Sequence, residues 1–523
     1  MSLQLHKRSI LRKSFQYSFF TFISRILGLV REYYQVRYLG ISPLSDAFII
    51  AFRLPNSLRK VFAEGALSAA FVPTFIKIYK EKNTSSANRL MSLAFVFFEG
   101  IILLLTILVW IFPGAVIRMV SPGFSEAQFI PAIVSLRILF PFILFISSGA
   151  LLAGALQSVN HFFMPAFSQV LLNIVFIASF VLCLKYNLSI EYLCCGILLG
   201  GIIQFIFYLL FYFKYGFKFQ LPNVETKKRF KSVLKKFANC ILGVGVMELN
   251  LIVDGIIGSY LADGSISLLY YGTRFMQIPL AVIAISFSTV LLSHFSRVAL
   301  YAPKRLSVYL LEASKFVAWA TIPATLFLMF VSEKIFSTSI MAKNVKAEKV
   351  GIAGTLLFIM ACGLLFFAIN KILTNVFYSL GDTKTPAIAS AIATVINLVG
   401  NVLSFWYLGD NAIYGIATST VIFGIFHAFL SFYLLRRKYN YRFYIINFLK
   451  FLFSYILQLL AGAVIFWFLY TAVFGYLAIT SYYYFFFMRW GYWIIMFPLT
   501  GFIAAFLYFT RRLFGINLYF LRK

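Results

Sequence analysis

Charges set inside apolar sequence mark where this chain could do chemistry. SRILGLVREYYQVR carries Arg25, Arg31 and Glu32, and SDAFIIAF opens on Asp46. Residues 52–73, FRLPNSLRKVFAEGALSAAFVP, carry Arg53, Arg59, Lys60 and Glu64, and YYGTRFMQIP supplies Arg274. A charge at mid-depth of a membrane span costs about 2.5–3.5 kcal/mol on insertion scales, so such residues face a cavity or a partner. On a helix, Arg25 and Glu32 share a face two turns apart while Arg31 points well away, so the three cannot form one i,i+4 salt bridge. Arginines in the first half outnumber the acids near them, and the excess positive charge must be balanced by something anionic. A planar guanidinium binds phosphate or carboxylate through two parallel hydrogen bonds and keeps its charge at any physiological pH. The chemistry implied is binding of an anionic, phosphate-bearing substrate.

Bond-making chemistry lacks comparable signals. No H-E-x-x-H, G-x-S-x-G or G-x-x-x-x-G-K-S/T string occurs, and the four histidines are scattered. Cys183, Cys194, Cys195, Cys240 and Cys362 lie in or beside apolar runs without C-x-x-C spacing, as expected of buried small apolar residues.

The elements that must position these charges are transmembrane helices. The 523 residues are 62% hydrophobic, include 63 Phe and are only 12% charged, which places the chain among all-α polytopic membrane proteins. The net charge of +30 does not point to nucleic acid, because Lys and Arg concentrate in short connections between apolar runs. Fourteen membrane-length segments are expected, at 14–39, 47–79, 89–112, 129–158, 163–184, 191–213, 234–261, 266–296, 306–333, 350–380, 385–408, 412–435, 448–474 and 489–510. The basic N-terminal stretch continues into an apolar segment that contains Arg25 and is too long for a signal peptide, so it reads as the first span. With the N-terminal tail inside, the cytoplasmic side collects most of the 46 Lys and Arg, including KKRFKSVLKK at 227–236 and RRK at 436–438. Both termini are then cytoplasmic, and KNVKAEK at 343–349 is the main exception. Pro55 is expected to kink the second span, and Gly65 with the small residues after it would allow close helix contact.

The longest connection, 214–233, is basic and divides the chain. Across it, an offset of 221 residues places Arg53 on Arg274, Ser158 on Ser379, Pro165 on Pro386 and Ala166 on Ala387. LLAGALQSVNHFFMPA then corresponds to ILTNVFYSLGDTKTPA. This reads as a duplication: an N-lobe at 1–213, a C-lobe at 234–440, and two added helices with a tail at 441–523. An even number of intervening spans makes the six-helix repeats parallel, with a central cavity between the halves. Arg37, Lys77, Lys80, Arg118 and Lys315 lie near span ends, where long basic side chains reach the interface without a further role.

SRILGLVRE, SDAFIIAFRLPNSLRKVFAEGALSAAFVP, VDGIIGSYLADGSISLLYYGTRFMQIPLAV and LGDTKTP together resemble the MurJ (MviN) family of lipid II flippases, within the multidrug/oligosaccharidyl-lipid/polysaccharide exporter superfamily. The resemblance covers essentially the whole chain, and the second-span motif is its most specific part. It implies a fourteen-helix transporter of the bacterial inner membrane that carries undecaprenyl-diphosphate-linked disaccharide pentapeptide outward for peptidoglycan synthesis. The family's substrate-binding cavity arginines match Arg25, Arg31, Arg59 and Arg274, and its acidic residue at the start of the second span matches Asp46. Glu32, Arg53 and Glu64 fall in the same cavity and gating region, Glu32 where aspartate is usual. The resemblance also implies that the last two helices form a groove for the prenyl tail. A sodium site found in some members would match Asp254, Asn397, Asn401 and Thr418, with Asn401 standing in place of an acid. Ser293 and His294 stand where a proline is common.

The expected mechanism is alternating access driven by membrane potential or sodium, with the diphosphate among the arginines. A membrane potential negative inside favours outward movement of a dianion. One alternative is a related exporter of another prenyl-linked oligosaccharide, or a drug/cation antiporter; a cationic drug would call for an acidic cavity. The other is a membrane enzyme acting on prenyl diphosphates, which would need clustered carboxylates or a histidine nucleophile.

Overall fold

The computed structural model describes residues 20, 23–60, 62, 66–81, 83–159, 163–302, 305–340, 347–441, 443–479, 482–489 and 491–521. Among them there are helices and no strands. The chain forms two compact units, Met1–Ile266 and Ser267–Lys523.

In the first unit, α1 (23–39) leads into α2 (Pro43–Arg59). The Ser42 hydroxyl caps α2 by accepting from the Ser45 amide at 3.2 Å, and Pro43 opens the first turn, where its missing N–H costs nothing. α2 runs through Pro55 and stops at Arg59, after which Lys60 and Phe62 lie in wider, π-type turns. Within the segment expected at 47–79, α-helical geometry is again present in α3 (Ala66–Glu81). A proline inside a helix leaves one carbonyl without its amide, and here the helix ends one turn later. α4 (Thr84–Ile111) is capped by Asn83 and ends before Pro113, which opens the short α5 (Pro113–Val120). α6 (Glu126–Leu139) starts on a Ser125/Gln128 capping box, and Pro141 separates it from α7 (Phe142–Ser158). α8 (Phe163–Tyr186), α9 (Ile190–Lys214) and the long α10 (Val224–Gly258) complete the unit, α10 packing on α3, α4 and α5. The compact unit Met1–Ile266 extends through α10.

α11 (Ser265–Pro279) leads into the second unit. After Pro279 the hydrogen-bond register widens to π-type over Leu280–Ile285 before α12 (Ser286–Tyr301) resumes. α13 (Leu306–Lys334) follows, then α14 (Ala347–Cys362) and α15 (Leu364–Ser379), bent by 42° at Gly363. α16 (Lys384–Leu408) and α17 (Ala412–Tyr439) pack so closely that a Cβ on Gly400 would come 2.5 Å from Ser419 Oγ, and one on Gly415 would collide with Ser404. α18 (Ile445–Ala478), α19 (Tyr483–Met488) and α20 (Gly491–Thr510) close the chain. Gln458 Nε2 donates to Leu507 O and Thr510 Oγ1, both at 2.8 Å, which ties α18 to α20.

Element order repeats as the duplication predicts. Helices α4, α6, α8 and α9 start at Thr84, Glu126, Phe163 and Ile190. Helices α13, α14, α16 and α17 start at Leu306, Ala347, Lys384 and Ala412, later by 222, 221, 221 and 222 residues.

Among the described residues, nine helical stretches are long and apolar enough to cross a membrane, ten with the bent α14–α15 pair. One of the nine, Lys384–Tyr439, comprises both α16 and α17. The expected segments outside this set, 14–39, 47–79 and 234–261, are helical where described and carry many of the charges that lower mean hydropathy. The cysteines depart from expectation in part: Cys183 and Cys194 are buried, but Cys195 and Cys362 are exposed. Each occupies an outward position on its helix, where a small side chain is tolerated without burial.

Candidate functional site

In the first unit, Arg31 is held on three sides. Its Nη2 donates to Glu32 Oε1 at 2.8 Å, its Nη1 to Asn173 Oδ1 at 3.4 Å, and its guanidinium lies 5.7 Å from the centre of the Phe176 ring. Neighbouring side chains on a helix normally diverge, so the guanidinium must fold back along α1 to reach Glu32. Asn173 is itself fixed on α8, its Nδ2 donating to Ser24 O and Oγ and to Gln169 O at 3.0–3.2 Å. The Arg31 and Glu32 side chains retain 22% and 11% exposure, so the pair is largely desolvated and short of fully buried. Such a pair holds its shape while leaving the arginine reachable by an anion. Arg25, on the same helix, is exposed. Arg59 is half-buried, and its Nε donates to Asn56 Oδ1 at 3.0 Å one turn earlier.

Asp46, expected as a cavity or gating acid, is buried at 1% exposure. Its Oδ2 accepts from Gln128 Nε2 at 3.0 Å and from the Gly264 amide at 2.6 Å, joining the starts of α2 and α6 to the turn after α10. Gly264 has φ +94, a conformation that favours glycine. Arg53 is half-buried, with Nη1 3.0 Å from where a Cβ on Gly255 would sit, so the missing side chain lets the guanidinium lie against α10. Glu64 lies outside the described residues. Asp254 is half-buried on α10.

In the second unit, Arg274 lies over the Tyr270 ring at 4.8 Å, and its Nη1 donates to Gln277 Oε1 at 3.4 Å. Asn397 and Asn401 are buried together on α16, Asn401 Nδ2 donating to Asn397 Oδ1 at 3.2 Å. Thr418 is exposed on α17 with its hydroxyl on Tyr414 O at 2.8 Å. No cluster of three His, Cys, Asp or Glu occurs among the described residues.

Two charges inside apolar helices escaped the sequence reading. Glu99 on α4 is buried, and Lys371 on α15 is half-buried with no hydrogen bond or ion pair to another described residue. FVFFEGIILL and FFAINKILTN carry the same signal as the arginine stretches, one charge in an apolar run.

The family model for the lipid II flippase MurJ matches residues 35–488. The chain belongs to the lipid II flippase MurJ family. It is 32% identical over 446 residues to a probable lipid II flippase MurJ of Buchnera aphidicola subsp. Acyrthosiphon pisum, covering 82% of this chain and 84% of that one. To a probable lipid II flippase MurJ of Vibrio cholerae it is 31% identical over 445 residues, covering 82% and 83%. Among solved structures it matches a lipid II flippase MurJ in an inward closed conformation, with TM-score 0.77, 29% identity and coverage of 95% and 99%. An inward-facing multidrug transporter of the MOP superfamily matches at TM-score 0.69 and 14% identity, which shows shared fold alone. Membership of the MurJ family puts the chain among multi-pass membrane transporters, as the opening motifs led one to expect.

Proposed function

We propose that this chain moves lipid II, the undecaprenyl-diphosphate-linked peptidoglycan precursor, from the cytoplasmic to the periplasmic leaflet by alternating access. The observation that carries the reading is the family relationship across residues 35–488. The arginines give it a chemical basis. Arg25, Arg31, Arg59 and Arg274 bind the diphosphate, Arg31 being oriented for this by Glu32, Asn173 and Phe176. Lys371, a cation inside an apolar helix, joins the anion-binding set. Asp46, Arg53, Glu64 and Glu32 act beside them as cavity and gating residues.

The isoprenoid tail stays in lipid, along the exposed apolar faces of α18 and α20. A potential negative inside contributes about 2.3 kcal/mol per charge per 100 mV toward outward movement of the anion. No covalent step is required. The chain sits in the bacterial inner membrane with both termini cytoplasmic, and the duplicated lobes are 1–213 and 234–440, followed by 441–523.

Complementation tests this reading. A bacterial host depleted of its own flippase should grow when it expresses the wild-type chain. Arg31→Ala, Arg59→Ala and Arg274→Ala, present at equal membrane levels, should leave lipid II in the inner leaflet. Growth with all three variants would remove the arginines from the mechanism, and failure of a well-inserted wild type would remove lipid II.

A further inference from the structure

Glu99 is the sixteenth of the 28 residues of α4, close to mid-span, and is 9% exposed. The fully buried Ser147 hydroxyl on α7 lies 2.7 Å from its Oε1 and 2.8 Å from its Oε2, and the buried Ser148 hydroxyl beside it is also directed to the carboxyl. The same Oγ lies 3.4 Å from Leu144 O.

A serine hydroxyl has one proton to donate. If Glu99 were ionised, the Ser147 proton would face three acceptors while a whole negative charge sat buried against neutral serine hydroxyls with no cation, and burying a charge so poorly paired is costly. If Glu99 is neutral, its O–H donates to Ser147 Oγ and the Ser147 proton goes to Leu144 O or the second carboxyl oxygen. Every proton then has an acceptor.

No described charged group lies within ion-pair distance of Glu99. α7 has none. The charges of α3 sit at its end, where Lys77 and Glu81 face each other at 3.9 Å. Arg118 of α5 covers the Phe129 ring, and α6 has Glu126 and Arg137 at its two ends. On α10 the described charges near this level lie before Phe237, which packs on Phe98; Lys236 donates to Thr74 Oγ1, and Arg229 pairs with Glu225.

The fold does not need this polar pair. At the element offsets of the duplication, Glu99 corresponds to Thr321, whose hydroxyl bonds to its own helix, and Ser147 to Ala368; α13 and α15 pack without it.

We propose that Glu99 is a membrane-embedded proton site, a carboxylic acid that latches α4 to α7 when protonated and releases them when its proton leaves to water. The latch makes the internal packing of the first unit depend on pH, strongest under acid conditions and weaker as pH rises. This inference does not rest on what the chain transports.

Infrared titration of the full chain in lipid nanodiscs tests it. Wild type should show a protonated-carboxyl C=O band above the amide I region that fades as pH rises, and Glu99→Gln should lack that band. Ser147→Ala, which keeps the acid and removes its hydrogen bond, should move the band to higher frequency, so the test survives if Glu99→Gln folds poorly. Hydrogen exchange in α4 and α7 should increase with pH beyond its intrinsic rate in wild type and not in Glu99→Gln. Identical carboxyl absorption in wild type and Glu99→Gln would overturn the proposal. So would a Glu99 band that does not titrate before the protein unfolds, since the acid would then be a static neutral group.

Discussion

Replacing Asp46 with alanine should cost stability before it costs transport chemistry. Asp46 Oδ2 accepts two hydrogen bonds, from Gln128 Nε2 and from the Gly264 amide, at a site 1% exposed. Hydrogen bonds to a charged group contribute about 1.5–3 kcal/mol each, and removing the acceptor strands both donors in the interior. Asp46→Ala should therefore destabilise the first unit by about 3–6 kcal/mol. Gln128→Ala leaves the Gly264 amide satisfied but loses the bond to Asp46 and the capping-box bond from Ser125 N, and should cost about 2–5 kcal/mol. The double variant should show a coupling energy of about 1–3 kcal/mol, as expected for residues in direct contact. Pulse proteolysis of the purified protein across a denaturant series would read all three. Unfolding of Asp46→Ala at the wild-type denaturant concentration would refute the anchoring role.

Other consequences follow from particular contacts. Arg31→Ala/Glu32→Gln, which removes the charge of both partners in the 2.8 Å pair, should keep wild-type membrane levels on immunoblots without supporting growth. In the turn between α15 and α16, Asp382 accepts from Thr385 N, Thr385 Oγ1, Lys438 Nζ and Tyr439 Oη at 2.6–3.0 Å. Burial pushes its carboxyl up, but the bonds from Lys438, Thr385 and Tyr439 outweigh that and hold it well below the usual carboxylate range. The stabilisation is complete above the unfolded value of about 4 and lost as pH falls below it. Thermal unfolding of wild type should weaken through that acid range more steeply than that of Asp382→Asn. Gly415→Ala should cost about 1–3 kcal/mol by forcing α17 off Ser404, and adding Ser404→Gly should return part of that in the same unfolding assay.

The large pattern of this fold could be read from sequence because bilayer thickness and duplication both leave periodic marks. One offset linked Arg53 to Arg274 and Ser158 to Ser379, and helix starts in the two units keep that spacing. Breaks inside apolar segments were less legible, since hydropathy does not register where a proline shifts the hydrogen-bond pattern, as after Pro279 and near Arg59. Site residues were visible by type and not by partner. Arg31 stood out, yet Asn173 and Phe176 lie more than 140 residues away and carry no signal of that role. Asp46 was marked by its charge, but its partners Gln128 and Gly264 lie 82 and 218 residues distant and carry no signal of that contact. Glu99 and Lys371 are single charges in apolar runs, and the cost of burying a charge applies to them as it does to the arginines.

The most direct test of transport is movement of labelled lipid II in proteoliposomes. With fluorescent lipid II confined to one leaflet and a potential that drives its anion across, wild type should expose the label to a quencher on the other side. Arg31→Ala and Arg274→Ala, incorporated to the same level, should not. Equal exposure in protein-free vesicles, or in vesicles carrying the arginine variants, would contradict the account.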